Sequence, residues 1–189
     1  ERLLNLWYHS TGDDEGDVTY MAYAESSDGF AWHRPELGLQ EYRGSKNNNL
    51  LFPMKEFELQ SVFVDPSAPA EERFKGLGRD AIVFLKGEVV PKMSKEEKWE
   101  IRRKMDEAGL TREQKAEEFY FHGLLRGAVS PDGCRWRFLE EPILNVGRTG
   151  LDSQNLGDFD ADTGTYLGYL RGHAERRRCI RRTEGNTFG

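Results

Sequence analysis

The chain has 189 residues, a length that suits one domain and is ample for a hydrophobic core. Its formal net charge of −6 and pI near 5.4 argue against a nucleic-acid partner, because such proteins usually carry a clustered basic surface. Two cysteines and four singly scattered histidines provide neither a disulfide framework nor zinc-ligand spacing, so we expect no metal or other cofactor. No apolar run approaches the roughly 18 to 20 residues of a membrane span, so no membrane partner is predicted.

The first predicted elements form a hairpin. Residues 3–9 (LLNLWYH) are typical of a strand, and 18–24 (VTYMAYA) predict a second one. The segment SSDGFAWHRP at 26–35 follows directly, and an Asp-Gly pair between two such runs is a strong hairpin signal. We therefore expect another strand immediately after this turn.

The middle of the chain repeats that turn. SPDGCRWRF at 130–138 shares the pattern Ser-x-Asp-Gly-x-x-Trp with the first copy. This turn joins the third and fourth strands of a unit of four predicted strands, at 59–64, 72–79, 119–129 and 135–138. We interpret Asp65, which follows the first of these strands, as a turn former.

A helical insertion at about 94–119 separates the second strand of this unit from the third. Ser94 followed by Glu97 is a capping box, and Thr111 marks a second helix start, so we expect two short helices. A DNA-binding module is the alternative, but the mixed charges favour a solvated lid or interface element.

The last unit has predicted strands at 154–160, 165–171 and 177–183, with Asp160 at the turn that Asp65 makes in the unit before. The repeated units predict an all-β fold. We expect residues 1–189 to form about two and a half four-stranded antiparallel blades of a β-propeller, a solitary sandwich being the alternative. Outer blade faces without a neighbour would then favour self-association.

Candidate site residues lie where the first strand of a blade begins, because in a propeller this strand lines the central channel. LDSQN at 151–155 offers Asp152 as a catalytic carboxylate and the amides of Gln154 and Asn155 as sugar ligands. Glu58 is the carboxylate near the corresponding strand start of the unit before. An Asx turn at Asp152 and a surface position for Glu58 are the alternatives.

Four segments together resemble a group of bacterial proteins related to glycoside hydrolase families 43 and 32. They are YAESSDGFAWHRPELGLQEYRGSKNNNLLF (23–52), VFVDPSAPAEERFKGL (62–77), SPDGCRWRFLEEPIL (130–144) and DSQNLGDFDADTGTYLGYLR (152–171). The resemblance implies a five-bladed propeller that hydrolyses a glycosidic bond with an Asp nucleophile or base, a Glu acid and an assisting Asp. Asp152 is the residue that falls in a matching motif position. The acid has no clear counterpart, since Glu141-Pro142 lacks the expected intervening glycine.

The expected function is therefore hydrolysis of a carbohydrate substrate. A glycoside phosphorylase is an alternative, and Arg171 or the basic run at 176–182 would then bind phosphate. A sialidase-like propeller and a non-catalytic carbohydrate- or protein-binding propeller are further alternatives. Convergence of two or three carboxylates on one funnel would separate an enzyme from a binding protein. The sequence predicts no cellular compartment.

Overall fold

The computed structural model describes residues 3–12, 18–90, 93–148, 151, 154–174 and 177–189. This part of the chain is mostly β, as the repeated hairpins predict. Its strands are β1 (Leu4–Ser10), β2 (Tyr20–Ser26), β3 (Leu50–Pro53), β4 (Glu58–Val64), β5 (Phe74–Leu85), β6 (Glu88–Val90), β7 (Phe119–Ser130), β8 (Arg137–Asn145), β9 (Leu156–Asp160), β10 (Thr165–Ala174) and β11 (Arg177–Gly185). The helices are α1 (Lys95–Glu107) and α2 (Arg112–Glu118), and a short 3-10 turn spans Ala70–Glu72.

The strands form three antiparallel sheets, each built from consecutive segments of the chain. Sheet I has the order β1-β2-β3, and sheet III has the order β11-β10-β9. Sheet II has the order β4-β5-β7-β8, with β6 also paired to β5. The predicted antiparallel all-β class with two helices is confirmed.

Sheet II matches the predicted middle unit. Its first strand pairs with the second from Glu58 opposite Arg79 to Val64 opposite Phe74. The pairing of β5 with β7 then continues beyond Glu58, where β4 begins, to Leu85. The sequential strand order predicted for this unit is thus confirmed.

Sheet I corrects the expectation of a strand directly after the first Asp-Gly turn. Only an isolated bridge between Glu25 and His33 follows that turn, and the strand that pairs with β2 is β3, more than fifteen residues later. Pro35 explains the difference, since proline has no N–H to donate to a ladder. In sheet II, β8 does follow its turn, and Pro142 lies there at a register shift.

The two Asp-Gly turns are nevertheless built from the same hydrogen bonds. Asp28 Oδ1 accepts from the N–H groups of Phe30 and Ala31 at 2.8 and 2.9 Å, and Asp132 Oδ1 accepts from the equivalent pair at 2.8 Å each. Ser26 Oγ accepts from Gly29 N and Ser130 Oγ accepts from Gly133 N, at 2.9 Å in both copies. Each glycine has a positive φ, 80° in Gly29 and 76° in Gly133, which a side chain would strain.

The sheets pack face to face in chain order. The core between sheets I and II contains Met21, Tyr23, Leu51, Phe52, Phe57, Leu59 and Ala128. A smaller core contains Leu77, Leu125, Leu151 and Leu170, and so joins sheet II to sheet III. Two polar contacts accompany these cores. Trp7 Nε1 donates to Gly133 O at 2.7 Å, and Tyr166 Oη donates to Asp65 Oδ2 at 2.5 Å.

The helical insertion lies outside the sheets, as predicted. Ser94 and Thr111 each form a complete capping box, the first with Glu97 and the second with Gln114. The second helix leads directly into β7 at Phe119, so the insertion is fastened to the far end of the β5–β7 hairpin. Within the described ranges, neither helix has the length and apolar character needed to cross a membrane.

Candidate active site

The first strands of sheets II and III begin side by side. Gly157 N donates to Ser61 Oγ at 2.9 Å, and Asn155 N donates to Gln60 Oε1 at 3.3 Å. These bonds join β9 to β4 across the gap between two sheets. The two strand starts singled out in the sequence are therefore neighbours.

The β5 edge is open beside these strand starts. Both β4 and β6 pair with this edge, but β4 begins opposite Arg79 and β6 ends opposite Val83. Among the residues that the structure describes, no strand pairs with the stretch at 80–82 on that side. A break of three residues in the sheet edge results.

A groove with a volume of about 560 Å³ occupies this break. We call it the entrance groove. The charged residues that line it are Lys55, Glu56, Glu58, Arg79, Asp80, Lys98, Arg102 and Arg126, and its apolar lining includes Phe57, Val83, Phe119, Phe121 and Leu151. A concave site of this size, with an apolar wall and a few convergent polar groups, is typical of small-molecule binding.

Glu58 lies in the groove in contact with an arginine. Its Oε1 is 2.7 Å from Arg79 Nε, directly across the β4–β5 ladder. The same guanidinium donates from Nη1 to Leu151 O at 3.2 Å. Arg79 thus connects Glu58 to the residue that precedes Asp152.

A second ion pair begins one residue further along β5, at Asp80. Asp80 Oδ2 is 3.4 Å from Arg126 Nη1, and both side chains are about one quarter exposed. Asp80 Oδ1 also accepts from the N–H of Ala81, and Arg126 Nη2 donates to Leu139 O at 3.1 Å. Sequence reasoning missed both residues. A signal was present, because Arg126 interrupts an otherwise apolar strand.

The two predicted sugar ligands, Gln154 and Asn155, lie in different environments. Gln154 is exposed and donates from Nε2 to Gln60 O at 3.4 Å. Asn155 has no exposed surface, and its Oδ1 accepts from Arg171 N at 3.4 Å, so it fastens β9 to its neighbours. Contact of either amide with a substrate stays a prediction. Asp152 lies outside the described residues.

Arg171 borders a separate cavity of about 270 Å³ between sheets II and III. Arg181 and Arg182 of β11 line the same cavity. The structure therefore does not bring Arg171 together with Glu58 in one pocket. It does bring part of the basic run at 176–182 to Arg171.

The entrance groove holds no recognisable metal site. Throughout the described ranges, no group of three or more His, Cys, Asp or Glu side chains could hold a metal ion. Comparisons with models of protein families, with curated proteins and with solved structures find no match for this chain.

Proposed function

We propose that this chain forms part of a propeller-like carbohydrate-active protein that hydrolyses a glycosidic bond in the entrance groove. The observation that carries the proposal is the convergence of the two strand starts. Glu58 and Leu151, the residue next to Asp152, line the same groove. Retaining and inverting glycosidases both need a pair of carboxyl groups on either side of the bond that they cleave.

The proposed roles follow from the chemistry of the reaction. Hydrolysis adds water across the bond: the anomeric carbon takes the hydroxyl group and the leaving oxygen takes the proton. Glu58, as a carboxylate beside Arg79, would stabilise positive charge on the sugar ring or take a proton from water. Asp152 would supply the second carboxyl group, and Phe121, 41% exposed, an apolar surface for the sugar.

The propeller architecture is supported by the packing of the sheets. Three antiparallel sheets follow one another face to face, and the first strands of two of them lie side by side. Repeated sheets arranged around an axis would place such strands at the centre.

The test is hydrolysis of a panel of 4-nitrophenyl glycosides and plant and microbial polysaccharides by a protein that contains this chain. Asp152→Asn and Glu58→Gln should each reduce kcat by about a hundredfold to ten-thousandfold without lowering the melting temperature. Glu88→Gln, a change at an exposed position outside the groove, is the matched control. Full turnover in both variants would rule out these two carboxyl groups.

Phosphorolysis is the second candidate function, and the three arginines around the 270 Å³ cavity favour it. Cleavage that requires inorganic phosphate and releases a sugar phosphate would identify it. Saccharide binding without cleavage under either condition would instead indicate a non-catalytic binding protein.

A further inference from the structure

The entrance groove carries an excess of positive charge that hydrolysis of a neutral sugar does not require. Five basic and three acidic side chains line it, in a chain whose net charge is −6. Two of the acidic groups, Glu58 and Asp80, are engaged with Arg79 and Arg126. These ion pairs leave the basic residues contributed by the insertion unneutralised.

Those residues lie on one face of α1. Lys98 and Arg102 are four residues apart, and Met105, 7% exposed, continues the same face toward the protein. Among the described residues, no carboxylate forms an ion pair with either cation. The guanidinium of Arg102 lies over the ring of Phe119, 5.7 Å from its centroid, which orients it at the groove wall.

Arg103 and Lys104 of α1 are arranged differently. Arg103 contacts Glu100 at 2.6 Å and Glu107 at 2.5 Å, and Lys104 lies 3.5 Å from Glu100. Acidic residues of the same helix therefore neutralise these two cations. Among the residues that the structure describes, the two α1 cations that line the groove, Lys98 and Arg102, have no acidic partner within ion-pair distance.

We propose that the entrance groove binds a saccharide that carries an oxyanion, with Lys98 and Arg102 of the insertion as the anion-binding groups. This inference rests on the proposed function for the saccharide itself and adds its chemical class. A guanidinium and an ammonium group suit either a carboxylate or a phosphate, because both anions offer several acceptor oxygens. The insertion, rather than the sheets, would then determine substrate choice.

The experiment is calorimetric titration of the protein with glucose, glucuronate, glucose 6-phosphate and inorganic phosphate at low salt. We expect at least one oxyanion-bearing sugar to bind tenfold or more tightly than glucose. Glucuronate and glucose 6-phosphate distinguish a carboxylate from a phosphate. Lys98→Gln/Arg102→Gln should remove the preference, whereas Lys104→Gln/Arg112→Gln, which deletes the same charge from exposed positions, should keep it.

Other results would contradict the proposed binding of an anionic saccharide. Absence of any preference over glucose, binding of inorganic phosphate alone, or an equal loss in both double variants overturns the inference. Cleavage of neutral glycosides without a preference for charged ones would refute the inference while the proposed hydrolysis stands. Binding of an anionic sugar through Lys98 and Arg102 without cleavage of any glycoside would do the reverse.

Discussion

The buried carboxylate of Asp65 connects sheet II to sheet III. Asp65 is 1% exposed, and its Oδ1 accepts from the backbone and hydroxyl of Ser67 at 2.8 and 2.6 Å. Its Oδ2 accepts from Tyr166 of sheet III. Burial alone would raise the pKa of Asp65, but hydrogen bonds from Ser67 and Tyr166 hold it below its usual value. Asp160 makes the same kind of turn, accepting from Asp162 N at 3.0 Å.

Replacement of the tyrosine tests this connection. Tyr166→Phe removes the donor and leaves a buried carboxylate oxygen poorly satisfied, so we expect a loss of about 1–3 kcal/mol in the free energy of unfolding. Urea denaturation measures it. Tyr169→Phe, at an exposed position in the same strand, is the control and should change little. Equal effects in the two variants would mean that the hydrogen bond to Asp65 contributes nothing specific.

The lowered pKa of Asp65 predicts a pH dependence. A carboxyl group that binds its proton more weakly in the folded state stabilises the fold at pH values above its unfolded pKa of about 3.9. That contribution is lost as the pH falls through the lower, folded pKa. Asp65→Asn should therefore be less stable than the wild type at pH 7, and the difference should shrink toward pH 3 in chemical denaturation. A gap that stays constant over this range contradicts the assignment.

Glu58 could be predicted as a candidate site residue from the sequence, whereas Asp80 and Arg126 could not. Glu58 was found because it begins a strand that aligns with another, and alignment of strand starts requires no knowledge of pairing. Asp80 and Arg126 are 46 residues apart and meet only through the register of β5 against β7. Register depends on side-chain packing and turn geometry, which spacing along the chain does not reveal.

At the scale of elements, the strand order could be predicted from the sequence where the turns contain characteristic residues. Sheet II follows its predicted order because an Asx turn at Asp65 joins β4 to β5 and an Asp-Gly turn at Asp132 joins β7 to β8. The β5–β6 hairpin was missed, although Lys86 and Gly87 both adopt positive φ angles, 52° and 83°, as a tight two-residue turn requires. Lysine is not a typical residue for the first of these positions, so the signal was weak. β3 was missed because a loop of sixteen residues precedes it.

The capping box of α1 should determine the local stability of the insertion. Ser94→Ala removes the acceptor for Glu97 N, now 3.1 Å away, and should cost the helix about 1 kcal/mol. Ser94→Asp preserves an acceptor and should cost little. Amide hydrogen exchange over α1, compared with exchange in β5 and β7, measures the effect. Equal protection of the helix in all three proteins would show that packing, rather than the cap, sets its stability.

At the scale of the whole molecule, the outer faces of sheets I and III expose apolar side chains. Leu4 and Leu6 are 48% and 40% exposed on sheet I, and Phe30 beside its turn is 91% exposed. On sheet III, Tyr169 and Ile180 are 39% and 79% exposed. The equivalent turn of sheet II is covered by Trp7 of sheet I.

The chain alone should therefore associate through these faces. Sedimentation velocity should show a weight-average mass that rises with protein concentration. Ile180→Lys and Leu6→Lys place a charge on each face and should reduce the association. Val89→Lys, at a 65% exposed position on the β6 hairpin, is the matched control. A concentration-independent monomer would show that the exposed residues do not form a contact surface.

The break in the β5 edge also limits how far another chain could pair with this edge. An unpaired strand edge invites pairing with a foreign chain, but strands commonly pair over about five or six residues. Here the open stretch at 80–82 is three residues long, and β4 and β6 close it at both ends. The carboxylate of Asp80 already accepts from Ala81 N and adds a negative charge. This edge of β5 can thus keep a gap large enough for a small molecule while offering little template to another chain.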